Sequence, residues 1–136
     1  MVRKVLVGTD TSASADLAVQ TAADIARALE AGLLVLYVRP LLDPREMFDP
    51  DGRPDPESYL EEVGRRFSDL EVSTRQVPGD PGTTICDVAE AERADVIVVG
   101  NRGIHGKRRR FIGSVPQAVL QRSPCSVMVV DTRSAQ

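Results

Sequence analysis

The sequence predicts an α/β fold, a three-layer sandwich with helices on both faces of a five-stranded parallel sheet. Five strand-like runs are separated by four segments of helical length within 136 residues. Most of these runs, such as residues 33–38, are apolar throughout, which is typical of strands that are covered on both faces. Regular alternation of strands and helices favours parallel pairing with right-handed crossovers.

The first half of the chain begins with a strand at residues 5–7 and a turn at residues 8–12. Ser12 is a suitable N-cap for the first helix, and Gly32 is placed to end that helix. The second strand is predicted at residues 33–38. The apolar side chains that recur at the spacing of one helical face are Ala18, Ala22, Ile25 and Leu29.

The second half of the chain contains the remaining three helices and three strands. Asp55 and Asp80 each precede a proline and predict the starts of two helices, and a last helix is predicted at residues 114–122. The strands are predicted at residues 71–77, where weak alternation suits a sheet edge, and at residues 95–100 and 126–130. The inward stripes of the second and third helices comprise Tyr59 or Leu60, Val63, Phe67 and Leu70, then Ile85, Val88 and Ala89.

Residues 40–56 differ in composition from the rest of the chain. They hold five of the nine prolines, interleaved with acidic side chains. We interpret them as an irregular loop that serves as a lid or an interaction segment. No repeat or second domain is visible, so residues 1–136 are predicted to form a single domain.

Charge and hydropathy exclude several classes of partner. A formal net charge of -3 argues against a general nucleic-acid binder, because neutralising phosphates needs a net basic face. No apolar stretch reaches the roughly 18 residues of a membrane helix, and the first residues already read as a strand. We expect a cytoplasmic protein with no membrane partner. Cys86 and Cys125 have neither paired nor metal-type spacing and are expected to be buried apolar fillers.

The strongest functional signal is the pattern Gly100-x2-Gly103-x9-Gly113-Ser114, which follows the fourth strand and opens the last helix. Glycines let the backbone approach a bulky anion and adopt conformations barred to other residues, and the first N–H groups of a helix lack partners. We expect a phosphate to bind these groups, with the Ser114 hydroxyl either capping the helix or contacting the same phosphate. Arg102 is the best candidate for a cation that pairs with phosphate oxygens.

The end of the first strand is expected to complete this site, because ligands of open parallel sheets bind where the strand order reverses. Thr9 and Asp10 lie there, and Asp10 is placed to accept a hydrogen bond from a ribose hydroxyl or, less directly, to hold Mg²⁺. Its alternative role is that of a turn residue. His105, the only histidine, is interpreted as an exposed loop residue, and no metal site is predicted.

Two other nucleotide motifs and one signalling class are disfavoured. The dinucleotide pattern G-x-G-x-x-G is absent after the first strand, and Gly106-Lys107 lacks the other P-loop positions. A phosphoacceptor domain would need an acceptor Asp after the third strand and a Lys after a late strand. The third and fifth strands are instead followed by Gln76-Val-Pro78 and Asp131-Thr132.

Taken together, these sequence segments resemble the ATP-binding branch of the UspA-like universal stress protein family. The glycine pattern matches the signature of that branch, and residues 5–12, Val-Leu-Val-Gly-Thr-Asp-Thr-Ser, resemble its opening strand and turn. Residues 94–100 and 124–130 extend the likeness over nearly the whole chain.

The resemblance implies a Rossmann-like fold of the adenine nucleotide alpha hydrolase type, with sheet order 3-2-1-4-5 and ATP lying across strands one and four. Val38 would meet the adenine through its backbone, Asp10 and Gly100 would contact the ribose, and the later signature residues would hold the phosphates. Together with the reasoning above, the candidate nucleotide-binding residues are Thr9, Asp10, Val38, Gly100, Arg102, Gly103, Gly113, Ser114 and Val115. The family also implies a homodimer formed through the last strand.

By this resemblance the chain is a stress-response regulator that switches conformation or oligomeric contacts when ATP, with or without Mg²⁺, is bound. No catalytic residue is predicted. Cyclic AMP is the alternative ligand, because Asn101 after the first signature glycine resembles relatives that prefer it. If residues 40–56 fold over the pocket, their acidic side chains would repel a triphosphate and also favour a less charged ligand. A slow ATPase or nucleotidyl-transfer enzyme is a second alternative, with Asp10 and His105 as its only candidate groups.

Overall fold

A computed structural model describes residues 1–41, 54–101 and 113–132. All strands pair in parallel, in the order β3-β2-β1-β4-β5, which confirms the predicted fold class and strand order. The elements in chain order are β1 (Lys4–Thr9), α1 (Ala13–Leu29), β2 (Gly32–Arg39), α2 (Pro56–Arg66), β3 (Val72–Pro78), α3 (Pro81–Ala91), β4 (Val96–Gly100), α4 (Ser114–Arg122) and β5 (Ser126–Val130).

Two apolar layers lie on opposite faces of the sheet. Val5 and Val7 of β1 pack with α1 and α2, whereas Leu6 between them packs with α3 and α4. All three side chains are fully buried, as expected for a strand covered on both faces. The chain runs outward from β1 to β3 and then crosses to β4 and β5, so the strand order reverses between β1 and β4.

Side chains cap the starts of the first three helices. Ser12, Asp55 and Asp80 each accept a hydrogen bond at 3.1 Å from the backbone N–H three residues further on. All three predicted helix starts are confirmed. Among the described residues, no helix combines the length and the apolar character that crossing a membrane requires.

The end of α1 differs from the prediction. Gly32 does not end the helix; Glu30 does, in the left-handed conformation with φ 54°. The N–H of Glu30 bonds to the carbonyls of Ala26 and Arg27, which offsets part of the cost of that conformation. Gly32 is instead the first residue of β2, paired with Lys4, because the chain must already be extended there to enter the sheet.

The end of α2 also differs. Phe67 and Leu70 were expected on the helical stripe, but α2 ends at Arg66. Phe67 is nevertheless buried, and both side chains pack against the layer that contains α1. Helical spacing therefore identified these core residues correctly but predicted a helix that was too long. On the opposite face, in the layer of α3 and α4, Cys86 is buried as expected, whereas Cys125 is only half-buried and so departs from the prediction; both thiols are free.

Candidate functional site

A crevice opens between β1 and β4 at their carboxyl ends. The two strands pair only as far as Val7 and Val98. Beyond that point β1 continues to Thr9 in contact with β2, and β4 continues to Gly100 in contact with β5. Beyond this point each of the two strands pairs only with its outer neighbour in the sheet. Parallel sheets bind ligands at such a position.

The β1 end of the crevice is a tight polar turn. The Thr9 Oγ1 accepts the Thr11 N–H at 3.0 Å, and the Asp10 Oδ1 accepts the Ser12 N–H at 2.9 Å. Thr11 has φ 67° and its hydroxyl donates to the Pro54 carbonyl at 3.1 Å. Asp10 therefore does act as a turn residue, and the turn holds its carboxylate at the mouth of the crevice.

Val38 lies at the end of the neighbouring strand. Its side chain is buried in the layer of α3 and α4. The pairing of β1 with β2 ends at Thr9 and Tyr37, so Val38 lies beyond the last β1 partner. That a ligand meets the backbone of Val38, and not this buried side chain, stays a prediction.

The β4 side of the crevice is formed by the start of α4. Gly113 is the N-cap, with φ -61° and ψ 168°, and no side chain caps the helix. Ser114 is the exposed first residue of the helix, so capping, one of its two predicted roles, is wrong. No acidic side chain lies in the first turn. Unlike the other three helices, α4 therefore presents N-terminal N–H groups that no side chain among the described residues caps.

The glycines of the pattern are not explained by unusual backbone angles. Among the described residues, Gly79 is the one glycine with positive φ, and φ -61° at Gly113 is open to every residue. The conformational reason given above for Gly100 and Gly113 is therefore wrong. The other reason, that a glycine leaves room for an anion beside the backbone, stays a prediction.

A backbone hydrogen bond joins the end of β4 directly to the start of α4. The N–H of Gly113 donates to the carbonyl of Asn101 at 2.8 Å. Gly82 of α3 permits close packing against α4, since a Cβ there would lie 2.6 Å from the Ala118 Cβ. Arg102, Gly103, His105 and the basic run 107–110 lie outside the described residues.

Of the nine candidate residues, the structure brings seven to one edge of the sheet. Three lie at the ends of β1 and β2 and four at the end of β4 and the start of α4, namely Thr9, Asp10 and Val38, then Gly100, Gly113, Ser114 and Val115. Within the described ranges, no group of three or more acidic, His or Cys side chains is arranged to hold a metal ion. A shallow depression of about 230 Å³ lies elsewhere, between α2 and the outer edge of β3, among Glu57, Glu61 and Arg75.

Sequence reasoning missed Tyr59 as a neighbour of this edge. Its hydroxyl donates to the Asp16 Oδ1 at 2.5 Å, and Arg66 pairs with the same carboxylate at 3.0 Å. Burial, followed by the hydrogen bond to Asp16 and the negative charge of that carboxylate, raises the pKa of Tyr59, while the positive charge of Arg66 and the nearby Thr9 side chain oppose that shift. Tyr59 thus connects α2 to α1.

We expect Tyr59→Phe to lower the free energy of unfolding by about 1 kcal/mol, because it removes one partly buried hydrogen bond to a carboxylate. Urea denaturation at neutral pH measures the change. Combining it with Asp16→Asn tests the contact, since the two effects should then be less than additive. Full additivity would contradict a direct coupling of these two side chains.

This chain is similar to a known protein family over most of its length. The model of the universal stress protein family matches residues 1–131. A universal stress protein of Synechocystis is 33% identical over 135 residues, covering 96% of this chain and 86% of that protein. One of Mycobacterium tuberculosis is 32% identical over 142 residues, covering 96% and 97%. The crystal structure of a universal stress protein in complex with cAMP is 30% identical with TM-score 0.77, covering 96% of this chain and 98% of that one.

Proposed function

This chain belongs to the universal stress protein family, and on that premise we propose that it binds an adenine nucleotide in the crevice between β1 and β4. The observation that carries the proposal is the start of α4 beside the end of β4, where no side chain in the described part of the chain caps the N–H groups of the helix. Such a helix start favours a phosphate group, because the N–H groups and the helix dipole both attract negative charge.

In this proposal separate groups of residues bind the adenine, the ribose and the phosphates. The backbone of Val38 contacts the adenine, and the ribose lies between Asp10 and Gly100, with Thr9 holding the turn that carries Asp10. The phosphates lie on the start of α4. The residues proposed to hold them are Arg102, Gly103, Gly113, Ser114 and Val115.

We propose ATP as the ligand, with cyclic AMP as the second candidate. The glycine pattern from Gly100 to Ser114 supports ATP, since three separated glycines leave room for several phosphates. Cyclic AMP is supported by the relative at 30% identity whose structure was solved in complex with cAMP. Both ligands place a negatively charged phosphate near α4, so the site chemistry is common to them. Mg²⁺ beside Asp10 would accompany ATP alone.

We further propose that nucleotide binding regulates contacts with other molecules and that turnover is slow or absent. The contact surface is the outer edge of β5, where Met128 is 41% exposed and Val127, Val129 and Val130 are half-buried. An apolar strand edge of this kind pairs readily with another strand. A second copy of the chain is the proposed occupant, which gives a homodimer joined along β5.

Analysis of co-purified and added nucleotides tests this function. The purified protein is denatured, released nucleotides are identified by mass spectrometry, and emptied protein is titrated with ATP and with cyclic AMP by calorimetry. We expect one bound nucleotide per chain and no multiple turnover of ATP. Multiple turnover that Asp10→Ala abolishes would favour the enzyme alternative, and absence of binding to both nucleotides would reject the proposal.

A further inference from the structure

Asn101, the residue directly after β4, is hydrogen-bonded to three segments of the chain. Its N–H donates to the Val130 carbonyl at 2.9 Å, and its carbonyl accepts the Gly113 N–H at 2.8 Å. Its Oδ1 accepts two hydrogen bonds from Thr132, one from the N–H at 3.0 Å and one from the hydroxyl at 2.8 Å. These bonds join the end of β4 to the end of β5, to the residue pair after β5, and to the start of α4.

The bonds between Asn101 and Thr132 are partly buried, and Asn101 itself is half-buried. Thr132 is fully buried, with 0% of its surface exposed. Because a backbone N–H can only donate, the Asn101 oxygen and not its NH₂ group must face Thr132. Loss of the Asn101 side chain would leave the N–H and the hydroxyl of buried Thr132 without this acceptor, which favours keeping the pair in this arrangement.

We propose that Asn101 is a positioning residue that holds the start of α4 in place for a phosphate, with Thr132 as its anchor. The inference rests on the proposed nucleotide binding and assigns the control of phosphate affinity to a contact outside the crevice. Gly113 has no side chain of its own to fix it, so its position depends on the Asn101 carbonyl. That carbonyl is in turn fixed because both the N–H and the side chain of Asn101 are bonded to the chain around the end of β5.

Calorimetric titration with ATP and with adenosine separates positioning from general destabilisation. For Asn101→Ala we expect ATP affinity to fall about tenfold, while adenosine affinity changes by less than about twofold, because α4 contacts only the phosphates. Thr132→Val, which keeps the side-chain shape and removes one hydrogen bond, should have the same selectivity and a smaller effect. Thr132→Ser keeps the hydroxyl, so its ATP affinity should match that of the unmodified protein. Thr21→Val is the matched control for Thr132→Val. It makes the same substitution and removes one hydroxyl hydrogen bond, to the Leu17 carbonyl, but within α1.

Amide hydrogen exchange provides a second readout that needs no nucleotide. The N–H of Gly113 should exchange faster in Asn101→Ala and in Thr132→Val, whereas core amides such as that of Val98 should keep their protection. Equal loss of ATP and adenosine affinity, unchanged ATP affinity, or unchanged exchange at Gly113 would each overturn the inference. If the unmodified protein bound neither ligand, the proposed function would fail. Exchange at Gly113 would then test only whether Asn101 and Thr132 hold the start of α4 in place.

Discussion

Replacing Gly113 by valine is expected to weaken nucleotide binding by about 100-fold or more while the protein stays folded. The backbone at Gly113 has φ -61° and ψ 168°, which valine adopts without strain. The substitution therefore acts by placing a branched side chain where the phosphate must approach the start of α4. Calorimetric titration with ATP and cyclic AMP measures the loss, which should affect both ligands.

Two measurements distinguish a blocked site from a damaged fold. Valine is a poorer N-cap than glycine, so the free energy of unfolding should fall by about 1 kcal/mol at most. Gly64→Val is the matched control, because a Cβ at that exposed position of α2 would meet nothing within 4 Å beyond its chain neighbours and the helix's own backbone. It should leave the affinity unchanged. Normal nucleotide binding by a folded Gly113→Val variant would place the ligand site elsewhere.

Introducing lysine at Met128 is expected to convert the proposed homodimer to a monomer. A charge at the centre of the β5 edge would be buried without a partner in the dimer, which should raise the dimer dissociation constant by about 100-fold or more. Sedimentation equilibrium across a range of protein concentrations measures this change. The folded monomer should persist, because Met128 is 41% exposed within a single chain.

The control for this substitution is Leu29→Lys. Leu29 ends α1 and is 48% exposed, so the change in charge and in exposed apolar surface is similar, but it lies away from the β5 edge. It should leave the dissociation constant unchanged. If Met128→Lys had no greater effect than Leu29→Lys, or if the unmodified protein were already monomeric, pairing along β5 would be rejected.

The fold was predictable because its determinants are local and repeated. Continuous apolar runs identify buried strands, and Ser12, Asp55 and Asp80 mark helix starts through bonds that span three residues. The strand order required the family resemblance, because periodicity does not specify which strands are neighbours. Helix ends were less predictable, as Glu30 shows, since they depend on where the sheet requires the chain to be extended.

The candidate site was predicted in part. Spacing alone indicated that Gly113 and Ser114 open a helix after a buried strand, and the structure confirms that placement. The conformational reason proposed for Gly100 and Gly113 was wrong, because backbone angles belong to the folded chain. Tyr59 was assigned to the core, and its contact with Asp16 was not foreseen, since 43 positions separate the two residues.

The sequence by itself determined the strand and helix order, the helix starts and the glycine pattern, because each depends on residues close together along the chain. Only the tertiary structure decided which distant residues meet. Gly8 is an example, as a Cβ there would lie 2.9 Å from the Ile85 Cδ1, and so is the contact of Asn101 with Thr132, 31 positions away. Such contacts arise when the sheet and its helices pack, and no local pattern in the sequence encodes them.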